Sequence, residues 1–254
     1  MRRLRSSITM LGAVALVAAA APAWAGAADK PALGAKVTTC TTGTDPATRA
    51  AVFTGTMPAA VKTKRLQMRF ALMQRLGTSA KAPFKKVAVP GWSGWVTSDA
   101  GRDALVFSKR VEGLTAPAAY RAVVTFRWLD AKGHAQRTTT RTTAICDQPD
   151  PRPDLVLAGL DAAPVGKAQA AYTVSVENEG HSDADPFAVT ITVGGVVSDP
   201  ITLGPIAPGA QATGSLAAPR CAPGSTITVT LDVAETVDES VESDDVVERP
   251  CPLA

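Results

Sequence analysis

In several stretches of the chain, apolar and polar side chains change places at every residue. Leu66, Met68, Phe70 and Leu72 alternate with Arg65, Gln67, Arg69 and Ala71, and Tyr120, Ala122, Val124, Phe126 and Trp128 alternate with Arg121, Val123, Thr125 and Arg127. A period of two marks a strand with one buried face, because successive Cβ atoms leave a strand on opposite sides. Residues 64–76 are rich in Leu, Met, Gln and Arg, which favour helix. The two-residue period outweighs that propensity and predicts a strand there. Further strands are expected near 37–42, 50–57, 104–111 and 135–145. Later in the chain, Tyr172, Val174 and Val176, then Val189, Ile191 and Val193, then Ile227, Val229 and Leu231 alternate with polar residues, mostly threonine. Between these runs lie Asn178-Glu179-Gly180, Gly194-Gly195 and Ala207-Pro208-Gly209, whose residues tolerate positive φ or preset it. Short strands recurring about every ten residues, with turns between them, predict an all-β chain of packed sheets.

Residues 146–155 read CDQPDPRPDL, with three prolines and no apolar periodicity. Proline cannot sit inside a central strand, so a Pro-rich linker is expected over 149–153. It divides a sandwich over 37–148, preceded by a flexible N-terminus at 26–36, from a second sandwich over 154–254. Ahead of both, Arg2, Arg3 and Arg5, an apolar run over 8–20 and the small-x-small Ala23-Trp24-Ala25 read as a signal peptide over 1–25. The run is shorter than the roughly 20 apolar residues a membrane span needs. The chain is therefore expected to be secreted, extracellular or at the cell surface, with no membrane span after processing.

Charge divides where the prolines fall. Residues 26–150 hold 19 Lys and Arg against 8 Asp and Glu, a net of +11, and residues 151–254 hold 4 against 15, a net of −11. Four cysteines, Cys40, Cys146, Cys221 and Cys251, are an even set in an exported chain, where thiols oxidise. Three pairings are open, and clustering favours Cys40–Cys146 and Cys221–Cys251, each inside one half. The cysteines have neither the spacing nor the neighbouring histidines of a zinc site.

Pro153-Asp154-Leu155-Val156, Gly166, Val174-x-Val176-x-Asn178-x-Gly180, Phe187-x-Val189, Leu203, Gly209, Asp232 and Glu239-Ser240-x-Glu242-x-Asp244-Asp245 follow one another in an ordered ladder. That ladder, over residues 153–249, resembles the CARDB family, named for cell-adhesion-related domains of bacteria. The resemblance implies an immunoglobulin-like sandwich serving as an extracellular module without a reaction of its own. Two features depart from the family pattern. Asp244-Asp245 stands where the family usually has two asparagines, and the Cys221 and Cys251 pair is an addition. In the first half, Leu114, Tyr120-Arg121 and Val123 resemble the strand that carries the tyrosine corner of fibronectin type III and related sandwiches. Trp92, Trp95 and Trp128 are expected to pack the core of that domain, with Gly91 and Gly94 allowing a tight turn. The fold class that results is all-β, with two immunoglobulin-like β-sandwich domains in tandem after a cleaved signal peptide.

Candidate chemistry is sparse. His134 and His181 each stand beside a glycine in an expected turn, and no nucleophile elbow, zincin, Walker or dinucleotide motif occurs. We therefore expect no catalytic residue and no required cofactor. Asp238, Glu239, Glu242, Asp244 and Asp245 offer the oxygens that calcium takes, but no EF-hand spacing orders them. A solvated acidic face is the leading reading and calcium ligation the alternative. Arg65, Arg69 and Arg75 on one expected strand, Arg121 and Arg127 on a second, and Arg137 and Arg141 on a third all carry odd numbers. Equal parity along a strand means one face. If the three strands are neighbours, seven arginines coat one outer sheet face. That face is either solvated, or in contact with an anionic envelope polymer or an extracellular protein, or docked on the acidic half. Nucleic acid is disfavoured for an exported chain with few aromatic platforms. The function expected is that of an exported, non-catalytic binding or adhesion-type module. The alternatives are a spacer that associates through its oppositely charged domains and a calcium-dependent binding module.

Overall fold

A computed structural model describes residues 31–253. The expected signal peptide lies outside the described residues. The first half forms β1 (Gly34–Thr41), β2 (Ala50–Pro58), β3 (Arg65–Leu76), β4 (Lys85–Val87), β5 (Val96–Thr97), β6 (Ala104–Glu112), β7 (Ala118–Leu129), β8 (Ala135–Thr142) and β9 (Cys146–Gln148). The second half forms β10 (Leu155–Val165), β11 (Gln169–Asn178), β12 (Phe187–Val193), β13 (Val196–Val197), β14 (Ile201–Leu203), β15 (Gln211–Pro219), β16 (Thr226–Thr230) and β17 (Val246–Pro250). Residues 65–76 are a strand, as their period requires. β1 starts inside the stretch expected to be a flexible N-terminus, because Gly34, Ala35 and Lys36 pair with Thr56, Gly55 and Thr54.

One plan is used twice. In the first half, a sheet in the order β1-β2-β6 packs on one in the order β4-β3-β7-β8, with β5 added to β3 and β9 to β7. In the second, β10-β11-β15 packs on β13-β12-β16-β17, with β14 added to β12. All of these pairings are antiparallel.

Each pair of sheets closes on its own apolar core. In the first, the even residues Leu66, Met68, Phe70 and Leu72 of β3 and Ala122, Val124, Phe126 and Trp128 of β7 face Ala51, Phe53 and Met57 of β2. Trp92 enters this core edge-on to Phe53 and Phe70, with ring centroids 6.0 and 6.1 Å away. The sheets approach most closely at Gly55, where a Cβ would stand 3.0 to 3.2 Å from Met68, Val124 and Phe70. The second core gathers Tyr172, Val174 and Val176 of β11 with Phe187, Val189 and Ile191 of β12 and Ile227 and Val229 of β16. Disulfides join Cys40 on β1 to Cys146 on β9, and Cys221 after β15 to Cys251 after β17.

The tyrosine corner is present. Tyr120 Oη accepts a hydrogen bond from Thr115 N at 2.9 Å and lies 3.3 Å from Thr115 O, to which it donates. Tyr172 does a similar task in the second sandwich, donating to Pro219 O at 2.8 Å and accepting from Cys221 N at 2.9 Å.

Candidate functional site

The register between β3 and β7 sets odd residues against odd ones: Gln67 faces Arg127, Arg69 faces Thr125, Met73 faces Arg121 and Arg75 faces Ala119. Residues directly opposite in a ladder share a face. Arg65, Arg69, Arg75, Arg121 and Arg127 therefore lie together on the side of the sheet turned away from the core. Arg137 and Arg141 do not join them. The next register pairs Trp128 with Arg137 and Val124 with Arg141, odd against even, so both arginines fall on the core side of β8. The Arg137 guanidinium covers the Trp128 ring there at 4.8 Å. Parity along a strand fixes a face within that strand, but the hairpin between β7 and β8 decides how it carries across. The expected face of seven arginines is a face of five.

Two aromatic rings lie between these arginines. Residues 77–103 leave β3 and run along its free edge, where β4 pairs with Leu72–Gln74 and β5 with Gln67 and Met68. From that excursion Trp92 turns inward and is buried, whereas Trp95 turns out onto the arginine face. The guanidinium groups of Arg69 and Arg127 stand 4.7 and 4.0 Å from the Trp95 ring centre, and those of Arg75 and Arg121 stand 5.0 and 4.0 Å from that of Phe84. Trp95 is thus not a core residue, and aromatic platforms are interleaved with the arginines after all. Cation–π contacts of this kind contribute about 0.5–1 kcal/mol each at exposed sites. Among the described residues, none of the five arginines pairs with a carboxylate. The covered Nε of Arg75, Arg121 and Arg127 has no hydrogen-bond partner, and Arg75 Nη1 donates to Ala80 O. Lys86, opposite Met73, adds positive charge beside them.

The acidic residues gather elsewhere, in the segment between β16 and β17. A cleft of about 500 Å³ there is lined by Asp232, Glu235, Asp238, Glu242 and Asp245, among others. Asp232 shapes the loop by accepting from Thr236 Oγ1 at 2.8 Å and Val237 N at 2.7 Å. Glu239 is 0% exposed. Its Oε2 accepts from Leu155 N, at the start of β10, and its Oε1 has no partner. Glu242 Oε1 accepts from Glu239 N at 2.8 Å. Covered oxygens of Asp154, Asp244 and Asp245 also lack partners.

Burial pushes the Glu239 carboxyl up to about 8; the Leu155 N–H opposes this, and Asp245, Glu242 and Asp232 add to it. Burial, then the charges of Glu242, Asp244, Asp232 and Asp154, raises Asp245 to about 6. Asp154 is raised by burial and by Asp244. Asp238 stays outside the group, because its carboxylate meets Arg152 at 2.6 Å, and the other side of Arg152 holds Asp150. Of the five acids read as a solvated face, Asp238 and Glu242 are exposed, Asp244 and Asp245 are half-buried and Glu239 is buried. Asp154 joins the group although the sequence motif places it some eighty residues away. Among the described residues, no three His, Cys, Asp or Glu side chains stand in a metal-chelating arrangement as they are placed. His134 and His181 are exposed. No helix of the described residues is long and apolar enough to cross a membrane.

Two stapled sandwiches, one with a basic aromatic face and one with an acidic group around buried Glu239, define an all-β protein of tandem immunoglobulin-like domains. Residues 152–249 match the CARDB family model. Among solved structures, the chain is similar to a CARDB domain from Pyrococcus furiosus determined in complex with di-metal ions. That match has 24% identity, covers 38% of this chain and 84% of that one, and has a TM-score of 0.32. It is also similar to the class 5 fimbriae chaperone CfaA, at 9% identity, 85% and 98% coverage and a TM-score of 0.26. The chaperone–tip adhesion subunit pre-assembly complex CsuC–CsuE of archaic Csu pili from Acinetobacter baumannii matches at 11% identity, 82% and 93% coverage and a TM-score of 0.26. No curated protein sequence matches the chain.

Proposed function

We propose that the protein is an exported, non-catalytic binding or adhesion-type module that meets an anionic polymer of the cell envelope through the outer face of β3 and β7. The observation that carries this reading is the pair of stacks Arg69–Trp95–Arg127 and Arg75–Phe84–Arg121. A guanidinium held over a ring loses less freedom when it binds, and its outer edge still offers paired N–H donors to a carboxylate or phosphate. Among the described residues no carboxylate pairs with these arginines, and apart from the Arg75 Nη1 bond to Ala80 O their outer donors are open to a partner. The disulfides and the CARDB match are compatible with work outside the cell.

The test is capture of cell-envelope fractions, linear polyphosphate and polygalacturonate by the purified protein at low and high salt. It is run beside a variant carrying Arg69→Ser, Arg121→Ser and Arg127→Ser. The expected result is binding that fades with salt and with the substitutions. Equal binding by the variant removes the face from the account. Salt-sensitive self-association without polymer identifies the acidic half of a second copy as the occupant instead.

A further inference from the structure

The five arginines of the β3–β7 face are not spread evenly along it. Arg69 and Arg127 share the Trp95 ring, and Arg75 and Arg121 share the Phe84 ring. Arg75 follows Arg69 by six residues on β3, and Arg127 follows Arg121 by six on β7, which runs antiparallel beside it. Six residues of strand span roughly 20 Å. Midway between the two stations the ladder sets Ala71 opposite Val123, and Val123 opposite Thr142 of β8, so that stretch of the face carries no charge. Lys86, opposite Met73, lies beside the Phe84 station, and Arg65 lies four residues before Arg69, beyond the Trp95 station. Positive charge is thus gathered at two stations, in line with the strands and separated by a neutral gap.

We propose that the two stations form one site for a linear polyanion held extended along β3 and β7, which binds a chain long enough to reach both far more tightly than one that reaches a single station. This rests on the functional reading above and adds to it the shape and the minimum length of the ligand. At each station an anionic group meets the outer N–H donors of two guanidinium groups that one ring already holds in place. Once one station is occupied, the second is met by the same chain at a high effective concentration, provided that the chain spans the gap. A compact anion reaches one station only, whatever its charge. The face therefore selects for length as well as for charge. Between the anchoring points Ala71 and Val123, both half-buried, offer a low apolar floor that makes few demands on the ligand's chemistry.

The test is the equilibrium affinity of the purified protein for linear polyphosphates fractionated by length, from triphosphate upward, and for inositol hexakisphosphate as a compact anion. Two variants are measured beside it, Arg69→Ser with Arg127→Ser and Arg75→Ser with Arg121→Ser, each of which leaves one station intact. With affinities compared per phosphate group, the parent should show a step of about tenfold or more once the extended chain reaches roughly 20 Å. Either variant should lose the step and still bind short chains at the station that remains, and inositol hexakisphosphate should show no such gain with the parent. A smooth rise with length, the same in parent and variants, would overturn the two-station site and leave the arginine face as a polyanion-binding surface. A step that survives in either variant would overturn it as well. Absence of polyphosphate binding at every length would remove the functional reading and this inference together.

Discussion

Asn178 is buried with all four of its side-chain hydrogen bonds made. Its Oδ1 accepts from Asp154 N and Gly180 N, and its Nδ2 donates to Ser182 O and Ile206 O. One amide thus holds the entry to β10, the turn after β11 and the loop after β14. Gly180 lies so close to the chain at Pro153 that a Cβ there would stand 2.5 Å from its backbone. This explains in physical terms why asparagine and glycine stand two apart in that turn. Asn178→Ala leaves buried donors and acceptors unpaired, and we expect a loss of about 2–3 kcal/mol in chemical denaturation. Asp150 gives a pH signature. Hydrogen bonds from Arg152 hold its carboxyl below the usual value, against a smaller raising effect of burial. A depressed folded pKa contributes stability that is present above the unfolded value near 3.8 and is lost as pH falls through the folded one. Asp150→Asn should therefore lower the melting temperature at pH 6 and change it little at the acid end of the curve.

At the scale of elements, β3 and β7 carry the proposed function, and the excursion over residues 77–103 shapes it. Trp95→Ala removes two stacking contacts without touching the core. Hydrogen exchange over 90–97 should accelerate while the strands of the sandwich keep their protection, and loss of protection throughout would make Trp95 a core residue. The strands themselves were legible in the sequence because alternation is local: Leu66, Met68 and Phe70 announce a buried face without reference to any other segment. The arginine face was legible only in part. Arg69 and Arg121 share a face because of a register fixed by two distant strands, and the same kind of long-range register sends Arg137 the other way. Trp92 and Trp95 stand three residues apart in one irregular segment, so no periodicity separates the inward ring from the outward one. The burial of Glu239 was hidden for a related reason. An acidic run reads as solvated until the strand whose N–H it caps is known to lie beside it.

Across the whole molecule, one strand plan recurs with opposite charge, +11 over residues 26–150 and −11 over residues 151–254. Each copy has its own disulfide, with Cys146 106 positions after Cys40 and Cys251 30 positions after Cys221. Loop-closure entropy assigns the longer bridge about 4–5 kcal/mol and the shorter about 3–4 kcal/mol, less any strain. The double change Cys40→Ser with Cys146→Ser should therefore lower the denaturation midpoint of the first sandwich more than Cys221→Ser with Cys251→Ser lowers that of the second. The claim on which the functional account rests is that stacked guanidinium groups, and not bulk positive charge, make the binding face. Its most direct test is the equilibrium affinity of the protein for polyphosphate beside that of a variant with Arg69→Lys and Arg127→Lys, which keeps every charge and loses both guanidinium groups over Trp95. The account predicts an affinity about tenfold weaker for the lysine variant, the equivalent of roughly 1.4 kcal/mol. Equal affinity would contradict it and reduce the face to unspecific electrostatics.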